Sequence, residues 1–155
     1  MPRNCSSHDY SALIRKWRAL SQKTPLRVGK VSTPKSLPFF EVTNGLLSRE
    51  KPCLYISAGI HGDEPAPCWA LLEWAEKNHG LLQDFPVLFY PCLNPWGFVH
   101  NSRLDEYGED LNRIWGNEHH PLTEQIFKRI KGLSFFLSLN LHEDFDANGI
   151  YIYEP

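Results

Sequence analysis

The segment that most constrains the fold is CLYISAGIHGDE at residues 53–64. An almost continuous apolar run ends at Gly59, and a histidine and a carboxylate, His61 and Glu64, follow at once. This pattern predicts a buried strand, a tight loop at its carboxyl end and the start of a helix. Because ligands of open α/β sheets bind beyond the carboxyl ends of the strands, a functional site is expected here.

The rest of the chain alternates apolar strands with amphipathic helices. Helices are predicted at 7–21 (capped by Ser6 or Ser7), 64–78 and 121–131. Strands are predicted at 26–31 and 37–42 (joined by a Thr-Pro turn), at 53–60, 86–93 and 134–141, all three buried, and at 149–153. This order is typical of an α/β fold with a partly parallel sheet. Residues 94–120 are rich in aromatic side chains and weakly periodic, which is typical of a functional loop.

The composition is that of one globular domain covering residues 1–155, with 42% hydrophobic and 22% charged residues. The net charge of −2 gives no reason to expect a nucleic acid or a membrane as a partner. No apolar run is long enough to span a bilayer. The four cysteines form no CxxC pair and the N-terminus has no secretory signal, so reduced thiols and a cytoplasmic location are expected.

His61, Glu64 and His142 are the candidate ligands of one zinc ion. Catalytic zinc takes three protein ligands and leaves one position open. His142 directly follows the predicted strand 134–141, so it is expected at the same edge of the sheet. A histidine three residues before a glutamate often arises by chance, and a histidine at a strand end is more often a surface or capping group. The placement of both pieces after predicted buried strands favours the metal site.

Arg113 is a candidate contact for a substrate carboxylate. It lies beside Asn112 in GEDLNRIW, and a guanidinium with a neighbouring amide can bind a carboxylate through two hydrogen bonds. The alternative, favoured by spacing alone, is an ion pair with Asp110 or Glu109.

Amide hydrolysis beside a metal also needs a cation and a base. Arg103 is the candidate cation, because a guanidinium beside the metal would polarise a carbonyl and stabilise a developing oxyanion. The alternative is a solvated ion pair with Asp105 or Glu106. Glu143 and Asp144 are the acids nearest to His142. Neighbouring residues of a strand point to opposite faces, so Glu143 is expected to point away from the metal if the strand persists, whereas Asp144 can turn back or orient a ligand histidine.

The remaining histidines lie at segment ends or in polar stretches and are predicted to be exposed: His8, His79, His100, His119 and His120. The adjacent pair, His119 and His120, is a candidate for adventitious metal binding.

Three stretches, taken together and in this order, carry a family resemblance: AGIHGDEPA at 58–66, HNSRLDEYGEDLNRIW at 100–115 and LNLHED at 139–144. With them the chain resembles the zinc carboxypeptidase family of the carboxypeptidase A type. It is most similar to the branch that contains succinylglutamate desuccinylase and aspartoacylase. The combination is far more specific than any one motif.

The resemblance implies a mixed, mostly parallel sheet flanked by helices. It implies one Zn²⁺ per chain with the ligands His61, Glu64 and His142. Arg103 would polarise the scissile carbonyl, and Asn112 with Arg113 would hold the terminal carboxylate of the substrate. The implied reaction is hydrolysis of an amide bond next to a free carboxylate in a small peptide or an N-acyl amino acid.

The chain departs from the family where the catalytic glutamate is concerned. The family carries it on a later strand, whereas only 13 residues follow His142, and Glu154 is too close in sequence to match. We therefore expect residues 1–155 to be the N-terminal part of a longer catalytic domain, and Glu143 is the candidate base. An uncovered region of the sheet would favour self-association.

Three functions are therefore in competition. The first is a metallocarboxypeptidase-like hydrolase, which the aromatic 94–115 segment favours. The second is a zinc-dependent deacylase of N-acyl amino acids, which the short connections and compact size favour. The third is a zinc-binding domain that is catalytically incomplete, which the missing glutamate favours.

Overall fold

The predicted mixture of helices and strands is present in a computed structural model of the chain. The structure describes residues 6–31, 37–116 and 119–153. The helices are α1 (Tyr10–Ser21), α2 (Ala66–Asn78), α3 (Pro95–His100) and α4 (Pro121–Ile130). The strands are β1 (Arg27–Val31), β2 (Phe39–Thr43), β3 (Cys53–Ala58), β4 (Val87–Tyr90) and β5 (Phe135–Leu141). The Asp9 carboxylate caps α1 by accepting a hydrogen bond from the Ala12 N–H, so the predicted serine cap is wrong.

The five strands form one mixed sheet in the order β1-β2-β4-β3-β5. The β1–β2 and β2–β4 pairs are antiparallel, whereas β3 runs parallel to both of its neighbours, β4 and β5. The prediction of a mixed α/β sheet is confirmed. Because β4, β3 and β5 share one direction, their carboxyl ends meet at the same edge of the sheet.

Helices cover the two faces of the sheet, and alternate residues of β3 point to opposite sides. Leu54 and Ile56 pack in the core cluster that α1 and α2 complete, whereas Tyr55 packs in the second cluster with Ile126 of α4. All six residues of β3 are buried. In the described ranges of the chain, none of the helices has the length and apolar character that a membrane crossing requires.

The segment 94–120 contains a helix that its weak periodicity did not reveal. The Asn94 side chain caps α3 by accepting the Gly97 N–H at 2.8 Å, and Asn101 ends the helix with a φ of 50°. A helix of six residues is too short to show an apolar stripe, which is why the pattern missed it. The described residues that follow, 101–116 and 119–120, form turns and bends.

The last part of the chain differs most from the prediction. β5 forms, but its residues are exposed or half-buried because β5 has a neighbour on one side only among the described strands. Residues 149–153 pair with no strand in the described part of the chain, so the predicted strand there is wrong. The predicted Thr33–Pro34 turn and Glu154 lie outside the described residues.

Candidate metal centre

The loop between β3 and α2 depends on two glycines. Gly59 has a φ of +62°, and a Cβ there would lie 2.5 Å from the Cys68 sulfur. A Cβ on Gly62 would lie 1.9 Å from the backbone carbon of Gly97 in α3. The Gly62 N–H also donates to the Ser102 carbonyl at 3.0 Å. The loop that carries His61 is therefore pressed against α3 in a conformation that larger residues exclude.

The parallel register of β5 brings the third side chain to this loop. Ala58, the last residue of β3, is paired with Leu141, the last residue of β5. One step earlier the two strands are joined by a hydrogen bond from the Ser57 hydroxyl to the Asn140 side-chain oxygen, at 3.0 Å. His142 therefore leaves the sheet directly beside the start of the β3–α2 loop.

His61, Glu64 and His142 converge so that one potential ligand atom from each lies within 4.8 Å of the others. The Nδ1 atom of His61 is 2.7 Å from one Glu64 oxygen, and the Nδ1 atom of His142 is 3.0 Å from the other. His61 and Glu64 are buried, whereas 36% of the His142 side chain is exposed. Two imidazoles and one carboxylate form a donor set that suits a zinc site with one open side.

The charges within this cluster favour an ionised carboxylate. Burial alone would raise the pKa of the Glu64 carboxyl, but hydrogen bonds from His142, His61 and the Glu143 N–H hold that pKa well below its usual range. Burial lowers the pKa of His61, but the hydrogen bond and charge of Glu64, together with the hydrogen bond to Asp110, outweigh burial, so the net pKa is raised. Glu64 is therefore a carboxylate at neutral pH, which is the form that binds a metal.

Asp110 joins the site as a partner of His61, a role that the sequence analysis missed. Its Oδ1 atom lies 3.2 Å from the Nε2 atom of His61, and its Oδ2 atom accepts a hydrogen bond from the Arg103 Nε at 3.0 Å. Burial raises the pKa of the Asp110 carboxyl, but the hydrogen bond and charge of Arg103, with the hydrogen bonds from the Asn112 N–H and His61, together lower it. A carboxylate on the far nitrogen fixes the ring orientation of a metal-binding histidine. The sequence feature that could have indicated this role is the position of Asp110 in the GEDLNR stretch, three residues before Arg113.

The two candidate arginines lie in different surroundings. The Nη1 atom of Arg103 is 3.9 Å from Glu64 Oε1, and its ion pair is formed with Asp110 rather than with Asp105 or Glu106. Arg113 is exposed, as is Asn112, and the Asp110 carboxylate contacts Arg103 and His61 instead of forming the predicted alternative pair with Arg113. The structure thus brings Arg103 to the candidate metal ligands, whereas Arg113, ten residues later in the same loop, is exposed to solvent.

The two acids after His142 have separate contacts. The Glu143 N–H donates to Glu64 Oε2 at 3.0 Å, while its carboxylate accepts the Ala66 N–H at 3.2 Å, at the start of α2. Asp144 accepts hydrogen bonds from the Tyr151 hydroxyl and from the Asp146 N–H. Its predicted turn towards a ligand histidine is therefore not seen among the described contacts.

His120 is not exposed as predicted. Its side chain is 6% exposed, and its Nε2 atom lies 2.8 Å from the equally buried carboxylate of Asp105. The prediction was wrong because a polar local sequence does not reveal a partner 15 residues away.

Comparison with known proteins places these residues in context. A model of the "Succinylglutamate desuccinylase/Aspartoacylase catalytic domain" matches residues 50–145. The chain is 31% identical over 87 residues to cytosolic carboxypeptidase 1 of Danio rerio, covering 51% of this chain and 8% of that protein. It is 37% identical over 79 residues to succinylglutamate desuccinylase of Burkholderia thailandensis, covering 49% of this chain and 22% of that protein.

A solved structure shares the fold. The metallo-carboxypeptidase from Burkholderia cenocepacia superposes with a TM-score of 0.74 at 21% sequence identity, covering 92% of this chain and 42% of the other. In each of these comparisons the matched region spans less than half of the length of the relative.

Proposed function

The chain belongs to the succinylglutamate desuccinylase/aspartoacylase catalytic-domain family, and from this premise we propose that it is part of a zinc-dependent hydrolase that cleaves an amide bond next to a free carboxylate. The resemblance to that branch of the zinc carboxypeptidases is confirmed by the family match. The substrate class we favour is a small peptide or peptide-like amide. Cleavage of such a substrate requires a metal, a cation, a carboxylate-binding group and a base, and each has a candidate among the residues described above.

The observation that carries the proposal is the convergence of His61, Glu64 and His142 within 4.8 Å. These residues would hold one zinc ion per chain, and the Asp110 carboxylate on His61 is the outer partner that such a ligand requires. Zinc held there would supply Lewis-acid activation of the hydrolytic water and of the scissile carbonyl. The half-exposed ring of His142 leaves the site open to a substrate on one side.

Arg103 and Arg113 are assigned to different parts of the substrate, the scissile carbonyl and the terminal carboxylate. Arg103 lies beside the ligand cluster, and its side chain is 45% exposed, so its guanidinium can stabilise the negative charge that develops on the carbonyl oxygen. Asn112 and Arg113, both exposed on the same loop, are assigned to the terminal carboxylate.

Glu143 is our candidate for the base that takes a proton from the attacking water. Its backbone N–H donates to Glu64, so its main chain lies next to the candidate ligands. Its carboxylate accepts a hydrogen bond from the Ala66 N–H. Glu143→Gln retains an oxygen that can accept the Ala66 N–H but cannot take up a proton. Loss of turnover with zinc still bound would support the assignment, and normal turnover would reject it.

A deacylase of N-acyl amino acids is the second candidate function. The family match and the relative named succinylglutamate desuccinylase favour it, and the same residues would perform the reaction. Rates on an N-acyl amino acid and on an acylated dipeptide, measured side by side, would separate the two activities.

Localisation in the cytoplasm is part of the proposal. Cys53, Cys68 and Cys92 are buried free thiols, as in proteins of reducing compartments, and a relative carries the name cytosolic carboxypeptidase 1.

The decisive test combines metal content with turnover of the purified chain. We expect about one zinc ion per chain, lost in His61→Ala, and hydrolysis of carboxylate-ended amides that falls in Arg113→Ala. Arg15→Ala is the matched control, because it removes an exposed arginine of α1, outside the site. The Arg15→Ala variant should hydrolyse these substrates at the parental rate. Zinc binding without any turnover would instead support the catalytically incomplete domain.

A further inference from the structure

The buried pair of His120 and Asp105 takes no part in the proposed reaction. Their side chains are each 6% exposed, and the His120 Nε2 atom lies 2.8 Å from Asp105 Oδ2. The Nδ1 atom of His120 is also buried and has no hydrogen-bond partner in the described part of the chain. Such a buried pair adds little net stability to a fold, because removing both side chains from water costs free energy. Its role therefore lies in the segments that it holds in place.

Asp105 organises a closed turn at residues 105–109. Its Oδ1 atom accepts the backbone N–H groups of Tyr107 and Glu109 at 2.8 and 3.0 Å. Its own N–H donates to the Glu109 carbonyl at 2.9 Å, and Gly108 completes the turn with a φ of +78°. One carboxylate thus satisfies the backbone of the turn with one oxygen and contacts His120 with the other.

His120 connects this turn to a helix. It is the residue that precedes α4, and its carbonyl accepts the Glu124 N–H at 2.9 Å and the Thr123 hydroxyl at 3.1 Å. The Tyr107 ring packs edge-on against the imidazole, with 5.5 Å between the ring centres. The imidazole therefore joins α4 to the 105–109 turn.

The turn lies between the two residues that reach the metal centre from this loop. Arg103 precedes it and Asp110 follows it, and these two are paired with each other and with Glu64 and His61. Asn112 and Arg113 come immediately afterwards. The loop of residues 101–116 contains no strand or helix, so its hydrogen bonds to neighbouring elements and its side-chain contacts decide where these groups stand. The Asn94 side chain holds its first part at the Leu104 carbonyl, and Asp105 is the anchor of the turn that follows.

We propose that His120 and Asp105 are positioning residues, which fix the 101–116 loop to α4 and so set the places of Arg103, Asn112 and Arg113 for substrate binding. The inference rests on the proposed function. It extends that function to a pair of side chains outside the ligand cluster. Misplacement of reacting groups by about 1 Å can cost about 100-fold in rate, so loss of this anchor is expected to be visible in kinetics.

The test compares His120→Leu with His120→Gln in the full chain loaded with zinc. Leucine removes the hydrogen bond to Asp105, whereas the glutamine amide can replace the Nε2 donor. We expect His120→Leu to raise KM for a carboxylate-ended acyl dipeptide by about 10-fold, with a smaller change in kcat. His120→Gln is expected to restore most of the loss. Bound zinc, measured by mass spectrometry, should stay at the parental level in both variants.

Hydrogen exchange supplies a readout that needs no turnover. The amides of Tyr107 and Glu109 should exchange about 10-fold faster or more in His120→Leu, because local opening of the turn becomes easier. The control is Arg129→Leu, which breaks the ion pair of α4 with Glu41 at the other end of the helix. It should leave the exchange of both amides and KM unchanged.

The outcomes separate the two proposals. Unchanged exchange or unchanged KM in His120→Leu would overturn the positioning role, and so would failure of glutamine to restore either quantity. A parent chain that binds zinc but hydrolyses nothing would overturn the proposed function and the kinetic part of this inference. In that case faster exchange in His120→Leu alone would still establish the anchor of the loop.

Discussion

The two segments that supply the candidate ligands are built in opposite ways. His61 and Glu64 follow β3, whose residues are all buried. Their loop packs closely against α3, where Gly62 leaves no room for a side chain. β5 carries His142 and lies at the edge of the described sheet, with Phe136 53% exposed. The same site therefore has one side set in the core and one side held by an edge strand.

The difference shows how such a site can be both ordered and open. The core side holds its two candidate ligands in place without a metal, because burial and hydrogen bonds restrict the His61 and Glu64 side chains. The edge side contributes a ligand whose ring remains accessible, which a substrate requires. We expect substitutions on the core side to affect folding and metal binding together, whereas those on the edge side should affect metal binding more than folding.

Removal of each histidine gives the largest expected effect. His61→Ala and His142→Ala should each lower zinc affinity by more than about 100-fold, since loss of an outer partner alone costs about 10–100-fold. His61→Ala should also lower the free energy of unfolding of the zinc-free chain by about 1–2 kcal/mol, because it removes a hydrogen bond from each of Glu64 and Asp110. His142→Ala should lower it less, because the Glu143 N–H still donates to the Glu64 oxygen that His142 contacts. Chelator competition and urea unfolding provide the two measurements. Equal destabilisation by both variants would contradict the contrast between the two sides.

Alanine at two glycines tests the packing directly. Gly62→Ala places a Cβ 1.9 Å from the Gly97 backbone and should destabilise the chain by about 3 kcal/mol. Gly149→Ala meets nothing within 4 Å and should change stability by no more than about 0.5 kcal/mol. Urea midpoints compare the two. A tolerated Gly62→Ala would mean that the loop can move away from α3.

Two tyrosines with similar pKa values test the contrast at alkaline pH. Burial raises the pKa of Tyr55 in β3 to about 12, whereas the hydrogen bond to Asp144 raises the pKa of exposed Tyr151 to about 12. An unfolded tyrosine titrates near pH 10, so Tyr55 should lower the free energy of unfolding as pH rises from about 10 to 12, by about 2–3 kcal/mol in total.

Absorbance titration of the tyrosinates separates the two causes. Asp144→Asn and high salt should lower the pKa of Tyr151 and leave that of Tyr55 unchanged, because only the exposed interaction is screened. Tyr55→Phe should remove one late-titrating group and flatten the alkaline loss of stability. A salt-sensitive Tyr55 would show that β3 is not sealed from solvent.

Self-association through β5 is the smallest expected effect. Leu137, which is 44% exposed, lies on this edge strand, and unpaired edges favour pairing between chains. Leu137→Lys should weaken dimerisation by about 1 kcal/mol, the contribution of partial burial of one side chain. Leu81→Lys, at a 60% exposed leucine outside the sheet, is the control. Sedimentation that is the same for the parent and both variants would remove this role from β5.

The local part of the fold was predictable because it depends on neighbours in sequence. The apolar run of β3, the tight turn at Gly59 and the apolar stripes of α2 and α4 are all recorded within windows of about a dozen residues. The order of these elements also indicated parallel strands, and this brought His142 to the same edge as His61.

Tertiary structure decided which side chains meet across the loop and which strand is exposed. Asp110 reaches His61 from 49 residues away, and His120 finds Asp105 inside the protein although both lie in a polar segment. β5 has the apolar composition of a buried strand but is largely exposed at the edge of the described sheet, because burial depends on what packs against a strand as well as on its residues. The sequence alone thus determined the candidate ligands, whereas long-range packing determined their orientation, their partners and the open side of the site.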